Sequence, residues 1–374
     1  MSDRKVNIGI VGIGNMGQAH AASLTNIPEA NIAAICALKK AKADEFAKKT
    51  GAKAYYDVGE MINSGEIEAI IIATPHYDHT TTALKAFAAG LHVLTEKPIA
   101  VHKADALKMI AAHDKRKELR FAAMFNQRTK PAHQKIKKLI DDGELGEIRR
   151  VNWIITDWFR TQHYYNAGGW RGTWKGEGGG VLLNQCPHQL DLFQWFFGLP
   201  VKVRAFSQIG KYHDIEVEDN VTAYCEFENG ATAVFIASTG EAPGTNRLEI
   251  TGERGKLVFE EGKLIFTRNV QEMTAFSHAT IEGFAKLEVW HIEIPFAEQE
   301  VQEHQTILDN FCRCILDEKA ELIAPAEEGV KSVELANAMI FSSFNDVTVE
   351  MPVDEVAYEK LLRDKIEHST FIKS

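Results

Sequence analysis

The sequence lacks what a membrane protein or a disulfide-stabilised secreted protein would need. No apolar run approaches the roughly 20 residues of a membrane-spanning helix. The opening MSDRK leads into a strand-like segment, so we expect no secretory leader. The five cysteines have no regular spacing, which is typical of reduced thiols, so we expect a cytoplasmic protein. Neither a Cys-x-x-Cys nor a His-x-x-x-His pair occurs, and we expect no metal site.

Positive charge is also scarce. Lysine and arginine total 42 against 52 aspartates and glutamates, a formal net charge of −10, which argues against nucleic acid or an anionic membrane as a partner. Internal repeats and low-complexity segments are absent from the sequence as well. A chain of 374 residues with 45% apolar and 25% charged residues is instead typical of a globular protein with two domains.

A glycine-rich turn follows the first predicted strand, Val6–Val11. Gly12, Gly14 and Gly17 form the pattern G-x-G-x-x-G, and a helical segment follows. In a dinucleotide-binding site such glycines allow a tight turn, leave room for a pyrophosphate and let the helix pack on the strand, while the helix N-terminus offers N–H groups to the phosphates. The strand before and the helix after favour this interpretation over an ordinary turn. The expected binding loop includes the intervening residues Ile13, Asn15 and Met16.

Predicted strands and helices then alternate regularly. They are strand 31–38, helix 41–50, strand 68–75, helix 80–89 and strand 91–95. This order predicts a doubly wound parallel sheet, whose ligands bind at the carboxyl ends of the strands. We assign residues 1–125 to this NAD(P)-binding Rossmann domain.

One feature of NAD-binding sheets is missing. An aspartate or glutamate usually ends the second strand, about 20 residues after the glycines, and binds the ribose 2′-hydroxyl. Here that position is Ala37, and Lys39 and Lys40 follow shortly after it. These lysines either bind the 2′-phosphate of NADP or only begin a solvated helix, since lysine lacks the bidentate geometry of arginine. NAD and NADP therefore both stay open as the cofactor.

A lysine marks the end of strand 91–95, in the segment TEKPIA. Pro98 disfavours helical geometry at Lys97, so Lys97 and Glu96 lie at the carboxyl edge of the sheet, where the nicotinamide end of the cofactor belongs. We expect both residues in the cofactor site, and Lys97 in the reaction as well.

Four segments together resemble the glucose–fructose oxidoreductase/inositol dehydrogenase/MocA (Gfo/Idh/MocA) family of sugar and polyol dehydrogenases: GIGNMG, ATPHYDH, GLHVLTEKPIA and GGGVLLNQCPHQLD. The resemblance covers nearly the whole chain. It implies a Rossmann domain, an α/β domain with a large open antiparallel sheet, a nicotinamide cofactor and oligomers, which we expect to be homodimers or homotetramers. In the segment ATPHYDH we expect cofactor contacts at Thr74, Pro75 and His79.

The resemblance also implies which residues react. The catalytic lysine corresponds to Lys97 and the catalytic histidine to His188, but the positions of a family aspartate and glycine hold Asn184 and Cys186. Asparagine orients a ring or a hydroxyl without offsetting charge, so we expect His188 to be a weaker base than usual. Asp191, one helical turn further on, is expected to replace part of the missing charge.

His188 follows three glycines and Pro187, at the predicted opening of a helix. The positive end of the helix dipole disfavours an imidazolium, which would keep His188 neutral and able to accept a proton near neutral pH. We expect Lys97 to hydrogen-bond the same substrate hydroxyl, with its pKa lowered beside a positively charged nicotinamide. The alternative is a helix-capping histidine without chemistry.

From about residue 126 the pattern changes to consecutive strands, which predicts an antiparallel sheet with hairpins at ENG and GERG. The predicted strands are 148–158, 201–209, 220–228, 231–238, 247–251 and 256–259. The predicted helices are 131–142, 302–316 and 326–343, of which the last two return to the body of the protein. We assign residues 126–374 to a substrate-binding and oligomerisation domain.

The loop 157–180 is rich in tryptophan, tyrosine, arginine and glycine. Sugar sites need aromatic faces for C–H surfaces and polar tips for hydroxyls. Besides Asn184 and His188, the candidates for substrate contact are His163, Tyr164, Tyr165, Trp170, Arg171 and Trp174. Some of these aromatics are expected only to pack the loop.

These residues predict a nicotinamide-dependent dehydrogenase that acts on a secondary hydroxyl of a sugar, glycoside or polyol. One alternative is a redox-neutral glycosidase with tightly bound NAD, which oxidises transiently, eliminates, hydrates and re-reduces. It needs a second base, for which His163, Tyr164 and Tyr165 are candidates. A third alternative is a non-catalytic, cofactor-binding regulator, against which the retention of Lys97 and His188 argues.

Overall fold

The computed structural model describes residues 4–297 and 302–373. A parallel sheet of six strands and a mixed sheet of nine strands organise this part of the chain. Each sheet has a hydrophobic core of its own. The predicted combination of a doubly wound parallel sheet with a second α/β domain is confirmed.

The six-stranded sheet is built by regular alternation of strands and helices. Its strands are β1 (Val6–Val11), β2 (Ala30–Cys36), β3 (Lys53–Tyr55), β4 (Ala69–Ile72), β5 (His92–Thr95) and β6 (Phe121–Ala123). The helices between them are α1 (Asn15–Leu24), α2 (Lys40–Thr50), α3 (Val58–Ile62), α4 (Tyr77–Ala88) and α5 (Lys103–His113). The spatial order β3-β2-β1-β4-β5-β6 reverses direction between β1 and β4, which is where doubly wound sheets bind ligands.

The second sheet carries helices and long loops between its strands. After a 3₁₀ turn (Asn126–Thr129), the helices are α6 (Pro131–Asp141), α7 (Gln162–Asn166), α8 (Trp174–Glu177), α9 (Pro187–Phe197), α10 (Met273–Ala279), α11 (Glu303–Leu316), α12 (Ala326–Asn345) and α13 (Glu355–Glu367). The strands are β7 (Ile148–Ile155), β8 (Lys202–Ile209), β9 (Glu218–Glu226), β10 (Thr232–Ser238), β11 (Asn246–Gly252), β12 (Gly255–Glu260), β13 (Lys263–Asn269), β14 (Val289–Glu293) and β15 (Val349–Glu350). Across the two described stretches, no helix is both long and apolar enough to cross a membrane.

The second sheet is mostly antiparallel, with one parallel pair. The hairpins predicted at ENG and GERG join β9 to β10 and β11 to β12. However, β10 runs parallel to β7. A parallel return requires a long connection, and here three helices and two strands separate β7 from β10 along the chain. The order in the sheet is β14-β13-β12-β11-β7-β10-β9-β8-β15.

Helix α12 joins the two cores. Its first half buries Val330 and Val333 in the core of the parallel sheet, and its second half buries Met339 and Ile340 in the core of the mixed sheet. A helix that is apolar on most of its surface is buried on most of its surface, and α12 therefore fixes one domain against the other. The division of the chain at about residue 125 stays a prediction.

Candidate active site

The glycine-rich loop follows β1, at the reversal of the strand order. Gly12 has a φ of +89°, and a Cβ on it would lie 2.5 Å from the carbonyl oxygen of Ala73, in the loop after β4. A Cβ on Gly17 would lie 1.9 Å from the carbonyl oxygen of Gly12. Because only glycine fits at these two positions, α1 packs directly on the ends of the strands.

The space beside Gly14 fits the pyrophosphate of NAD or NADP. A Cβ on Gly14 would meet no atom within 4 Å, and α1 begins at Asn15 with neither a side-chain cap nor an acidic residue in its first turn. The first N–H groups of α1 therefore stay available to an anion. In the loop after β4, Thr74 Oγ1 is buried without a hydrogen-bond partner and is a candidate cofactor contact. The same two loops hold Ile13 and Pro75, and Met16 lies in the first turn of α1.

The segment after β2 lies beside the glycine loop. The backbone N–H of Gly12 donates to the carbonyl oxygen of Cys36 at 2.9 Å, so Ala37 begins next to this loop. Lys39 is exposed immediately before α2, whereas Lys40 Nζ lies 4.9 Å from the ring centre of Tyr56. Lys39 is therefore the group that we expect to meet a 2′-phosphate.

We expect the protein to bind NADP about as tightly as NAD, because no carboxylate at Ala37 opposes the 2′-phosphate. Lys39→Ala should weaken NADP binding about tenfold, the effect of one charge-assisted contact, and leave NAD binding unchanged. Fluorescence titration of both cofactors measures this, with Lys42→Ala as the matched control. An unmodified protein that binds NADP about a hundredfold more weakly than NAD would show that the lysines are only solvated.

Glu96 holds the backbone of Lys97 rather than facing open space. Its Oε1 lies 2.6 Å from His20 Nε2 on α1, and its Oε2 accepts the backbone N–H of Lys97 at 3.1 Å. Burial opposes ionisation of this carboxyl, but the hydrogen bond to His20 and the Lys97 ammonium hold the pKa of Glu96 at about 2. A carboxylate at this position keeps the end of β5 in place.

The His79 ring likewise contacts the backbone of neighbouring loops. Its Nδ1 lies 2.9 Å from the carbonyl oxygen of Pro98, and its Nε2 lies 3.0 Å from that of Thr74. The ring is fully buried between the two loops that carry Thr74 and Lys97. Both ring nitrogens are thus occupied by the protein, and the predicted contact of His79 with the cofactor stays untested.

Lys97 reaches from the first domain to the second. Its Nζ donates to the carbonyl oxygen of Asn184 at 2.8 Å. Burial lowers the pKa of Lys97 from its usual value, although nearby Glu96 and Glu177 act in the opposite direction. The cleft between the domains therefore holds an ammonium group that releases its proton more readily than a surface lysine.

His188 is the second residue of α9, directly after Pro187. Its ring is buried, and Nδ1 has no hydrogen-bond partner in the structure. Burial, followed by the charge of Lys97, lowers the pKa of His188 well below the usual value. The imidazole is therefore neutral at physiological pH, and burial adds to the helix dipole in keeping it so.

The expectation that Asp191 supplies charge to His188 is wrong. The fully buried Asp191 carboxylate accepts two hydrogen bonds from Arg128, at 2.7 and 2.6 Å, and a third from Gln194 at 3.1 Å. Its charge is balanced by the Arg128 guanidinium. A spacing of three residues places Asp191 near His188 along the helix, but it does not determine where the carboxylate finds its partner.

Sequence reasoning missed a buried carboxyl beside Asn184. Glu177, the last residue of α8, is 1% exposed; its Oε1 accepts from Asn184 Nδ2 and its Oε2 accepts from the N–H of Gly172 at 2.6 Å. Burial raises the pKa of Glu177 to about 7, against the lowering effect of these hydrogen bonds. A carboxyl group thus lies next to the position where the resembling family has an aspartate.

A second missed carboxyl shapes the backbone before α9. The side chain of Glu218 on β9 accepts the N–H groups of Gly180 at 2.8 Å and Leu182 at 3.1 Å. These bonds hold the turn that carries Asn184 towards Lys97. Only the fold brings β9 to this turn, and no local pattern around Glu218 predicts the contact.

Tyr164 is an aromatic residue of the loop 157–180 whose hydroxyl group contacts the side chain of Asn184. Its hydroxyl donates to Asn184 Oδ1 at 3.3 Å and accepts from Gln185 Nε2 at 3.3 Å. Trp170 lies nearby in the loop, with its ring 5.7 Å from that of His76, and the Arg171 guanidinium is 4.5 Å from the Trp170 ring centre. These groups form one wall of the cleft.

Two other loop aromatics pack inside the second domain. The hydroxyl of the buried Tyr165 bonds Thr239 Oγ1 at 2.9 Å, and its ring lies 4.7 Å from that of His213. Trp174 is buried against Phe344. The expectation that some aromatics of this loop only pack agrees with these contacts.

Asn184→Asp should destabilise the protein, because it places a second buried carboxyl against that of Glu177. Ionising two adjacent carboxyls is unfavourable because their charges repel, and a buried charge without a partner costs several kcal/mol. We expect a loss of about 2–4 kcal/mol in unfolding free energy at pH 8 and a smaller loss at pH 5, where the pair retains a proton.

Urea unfolding at both pH values measures this loss. The matched control is the double variant Asn184→Asp/Glu177→Gln, which exchanges the amide and the carboxyl and should recover most of the stability. A double variant as unstable as the single one would mean that the two side chains are not coupled.

The fold and the cleft define a nicotinamide-dependent oxidoreductase. Residues 6–124 match the description "Oxidoreductase family, NAD-binding Rossmann fold", and residues 133–258 match "GFO/IDH/MocA C-terminal domain". The chain belongs to the Gfo/Idh/MocA family and is an NAD(P)-dependent oxidoreductase acting on CH–OH groups. The resemblance stated from the sequence is confirmed.

Individual relatives agree with this assignment. Myo-inositol 2-dehydrogenase of Thermotoga maritima is 26% identical over 278 residues, which is 72% of this chain and 77% of that protein. scyllo-Inositol 2-dehydrogenase (NAD(+)) of Bacillus subtilis is 24% identical over 363 residues, 94% of this chain and 98% of that protein. The crystal structure of the WlbA dehydrogenase from Bordetella pertussis in complex with NADH and UDP-GlcNAcA has a TM-score of 0.79 at 27% identity and covers 94% of this chain and 100% of that one.

Proposed function

We propose that the protein oxidises or reduces a secondary hydroxyl of a sugar, glycoside or polyol, with Lys97 and His188 transferring the proton. The observation that carries this proposal is the meeting of the two domains at Lys97, whose Nζ lies 2.8 Å from the carbonyl oxygen of Asn184. The charge of Lys97 also lowers the pKa of His188 on α9, which supports a proton-transfer role for the two side chains together. The relatives named as inositol dehydrogenases, and the neighbour bound to UDP-GlcNAcA, support a carbohydrate or polyol substrate.

The proton path follows from the two side chains. The cofactor, when bound, supplies the acceptor or donor of two electrons. In the direction of oxidation, the neutral imidazole of His188 accepts the proton of the substrate hydroxyl. Lys97 Nζ donates a hydrogen bond to the same oxygen and stabilises its developing negative charge. Asn184 holds Lys97 through its carbonyl oxygen and Tyr164 through its side chain.

A redox-neutral glycosidase is the second candidate, because the cleft contains further proton-transfer groups. The Tyr164 hydroxyl and the Glu177 carboxyl both contact Asn184, and burial raises the pKa of Glu177 to about 7. A group that titrates near neutral pH suits the removal of a proton beside a transient carbonyl. Of the predicted second bases, Tyr165 is buried away from the cleft against Thr239, and His163 is exposed.

Denaturation and a substrate screen distinguish the candidates. Purified protein is denatured, released NAD(P)(H) is quantified, and the native protein is then assayed with sugars and polyols for net cofactor reduction. Net reduction supports the dehydrogenase. Stoichiometric bound cofactor with glycoside cleavage and no net reduction supports the glycosidase, and cofactor binding with neither reaction would leave a non-catalytic regulator.

We also propose a homodimer or homotetramer that assembles through the second sheet. Phe206 on β8 is 60% exposed and Tyr224 on the adjacent β9 is 42% exposed, an unusual display of aromatic surface on a sheet. Light scattering of the unmodified protein and of Phe206→Asp measures the assembly.

The five free, buried cysteines support the proposed cytoplasmic location.

A further inference from the structure

Nearly all arginines in the described part of the chain form ion pairs with acidic side chains. The exceptions are Arg120, Arg160 and Arg171. Arg120 donates instead to the carbonyl oxygens of Cys314 at 2.8 Å and Glu318 at 2.9 Å. The two remaining arginines lie together at the candidate active site.

Arg160 and Arg171 share one aromatic ring. Their Cζ atoms lie 5.2 Å and 4.8 Å from the ring centre of Tyr164. Arg160 is also 5.2 Å from a ring of Trp158, and Arg171 is 4.5 Å from that of Trp170. Stacking on aromatic rings holds the guanidinium planes and keeps their in-plane N–H donors available for an acceptor.

Most of these donors have no acceptor among the residues that the structure describes. Nη1 of Arg160 donates to the carbonyl oxygen of Phe159 at 3.0 Å, and Nη1 of Arg171 to that of Ala167 at 2.9 Å. Nε of Arg171 is buried without any partner. Each guanidinium carries five N–H donors, so several remain unused in two side chains that are only partly exposed.

Among the described residues, no carboxylate lies within ion-pair distance of Arg160 or Arg171, although the buried Glu177 carboxyl is near enough for the charge of Arg171 to oppose the rise in its pKa. The chain has ten more acidic than basic residues, and apart from Arg120 each other arginine in the described part lies within ion-pair distance of a carboxylate. A half-buried cation that forms no direct ion pair is unfavourable, and such cations are found where an external anion binds. The arrangement therefore points to an anionic ligand.

The pair is connected to the reacting groups. The Tyr164 hydroxyl donates to Asn184 Oδ1 at 3.3 Å, and the carbonyl oxygen of Asn184 accepts from Lys97 Nζ at 2.8 Å. A ligand held by the arginines is thus held on the wall of the cleft that also positions Lys97.

The phosphates of the cofactor are accounted for elsewhere. The open space at Gly14 and the N-terminus of α1 fit the pyrophosphate, and Lys39 is the candidate for a 2′-phosphate. All three belong to the first domain, whereas Arg160 and Arg171 belong to the loop of the second domain that faces Lys97. The anion that meets them is therefore part of the substrate.

We propose that Arg160 and Arg171 bind a carboxylate or phosphate group of the substrate, so that the enzyme acts on an acidic sugar rather than a neutral one. This inference rests on the proposed dehydrogenase function and adds the class of its substrate. Both groups present paired oxygens that match the guanidinium fork.

Three probes test the inference on the full-length protein saturated with NADH. Binding of glucuronate, glucose 6-phosphate and glucose is followed by fluorescence in the millimolar range. We expect at least one acidic probe to bind about tenfold or more tightly than glucose. Tighter binding of glucuronate would indicate a carboxylate site, and tighter binding of glucose 6-phosphate would indicate a phosphate site. The same three sugars are assayed with the oxidised cofactor for kcat/KM.

Arg160→Met and Arg171→Met, which retain a long apolar side chain, should each reduce the preference for the acidic probe about tenfold, and Arg171→Lys should reduce it less. The matched control is Arg363→Met, which removes an arginine paired with Glu359 on α13. Equal or tighter binding of glucose, no binding of either acidic probe, or an acidic preference that survives in both methionine variants would overturn the inference. If neutral sugars are turned over equally well by the unmodified protein and both methionine variants, the inference is overturned but the dehydrogenase function stands. If the protein does not bind the cofactor, the proposed dehydrogenase function itself is overturned.

Discussion

Lys97→Met should fold, bind NAD(P) and lose about 10²–10⁴-fold in turnover, the usual range for a positioned proton-transfer group. Methionine keeps the length of the side chain but removes the ammonium that lies 2.8 Å from the carbonyl oxygen of Asn184. Stabilisation of the developing charge on the substrate oxygen is then lost, whereas the glycine loop that holds the cofactor is untouched. Steady-state kinetics and cofactor titration on the same preparation separate these two effects.

The matched control is Lys175→Met, which replaces an exposed lysine of α8, the helix that ends at Glu177. It should leave both turnover and cofactor binding close to normal, since a surface lysine contributes little. Near-normal turnover of Lys97→Met would remove Lys97 from the mechanism. Loss of cofactor binding in that variant would instead give Lys97 a role in holding the nicotinamide end.

The first domain was predictable because its signals are local. The runs that become β1 and β4 are almost entirely apolar, and Gly12 and Gly17 carry a backbone requirement that only glycine meets. The strands β3 and β6 were not predicted, because three residues are too few to show an alternation of apolar and polar side chains. In the second domain, the hairpins were predictable from their turns, but the parallel pairing of β7 with β10 depends on the whole chain between them.

The candidate site was predictable only in part. Lys97 and His188 follow motifs with a fixed place in the fold, and the structure joins the Lys97 ammonium to the carbonyl oxygen of Asn184, in the turn before the helix that carries His188. Glu177 and Glu218 were missed because their importance comes from burial and from backbone donors that are remote in the sequence or created by a turn. The same limit explains the error at Asp191, whose partner Arg128 lies in a segment to which the sequence assigned no role.

His188→Ala should reduce turnover about 10²–10⁴-fold at every pH and abolish the acid limb of the kcat/KM profile for oxidation. A base must be deprotonated to accept the hydroxyl proton, so this limb reports the pKa of His188 in the protein that has not yet bound substrate. Burial, followed by the charge of Lys97, lowers that pKa. In the unmodified enzyme the limb should therefore lie below about pH 6.5, the usual value for histidine.

Two variants make the assignment specific to His188. His163→Ala, which removes an exposed histidine of the loop, should leave both the rate and the limb unchanged. In Lys97→Met the residual activity should show the limb at higher pH, because the ammonium that lowers the pKa of His188 is gone. If His188→Ala keeps its rate and its acid limb, the base lies elsewhere. The Glu177 carboxyl and the Tyr164 hydroxyl, which both contact Asn184, would then be the groups to replace next.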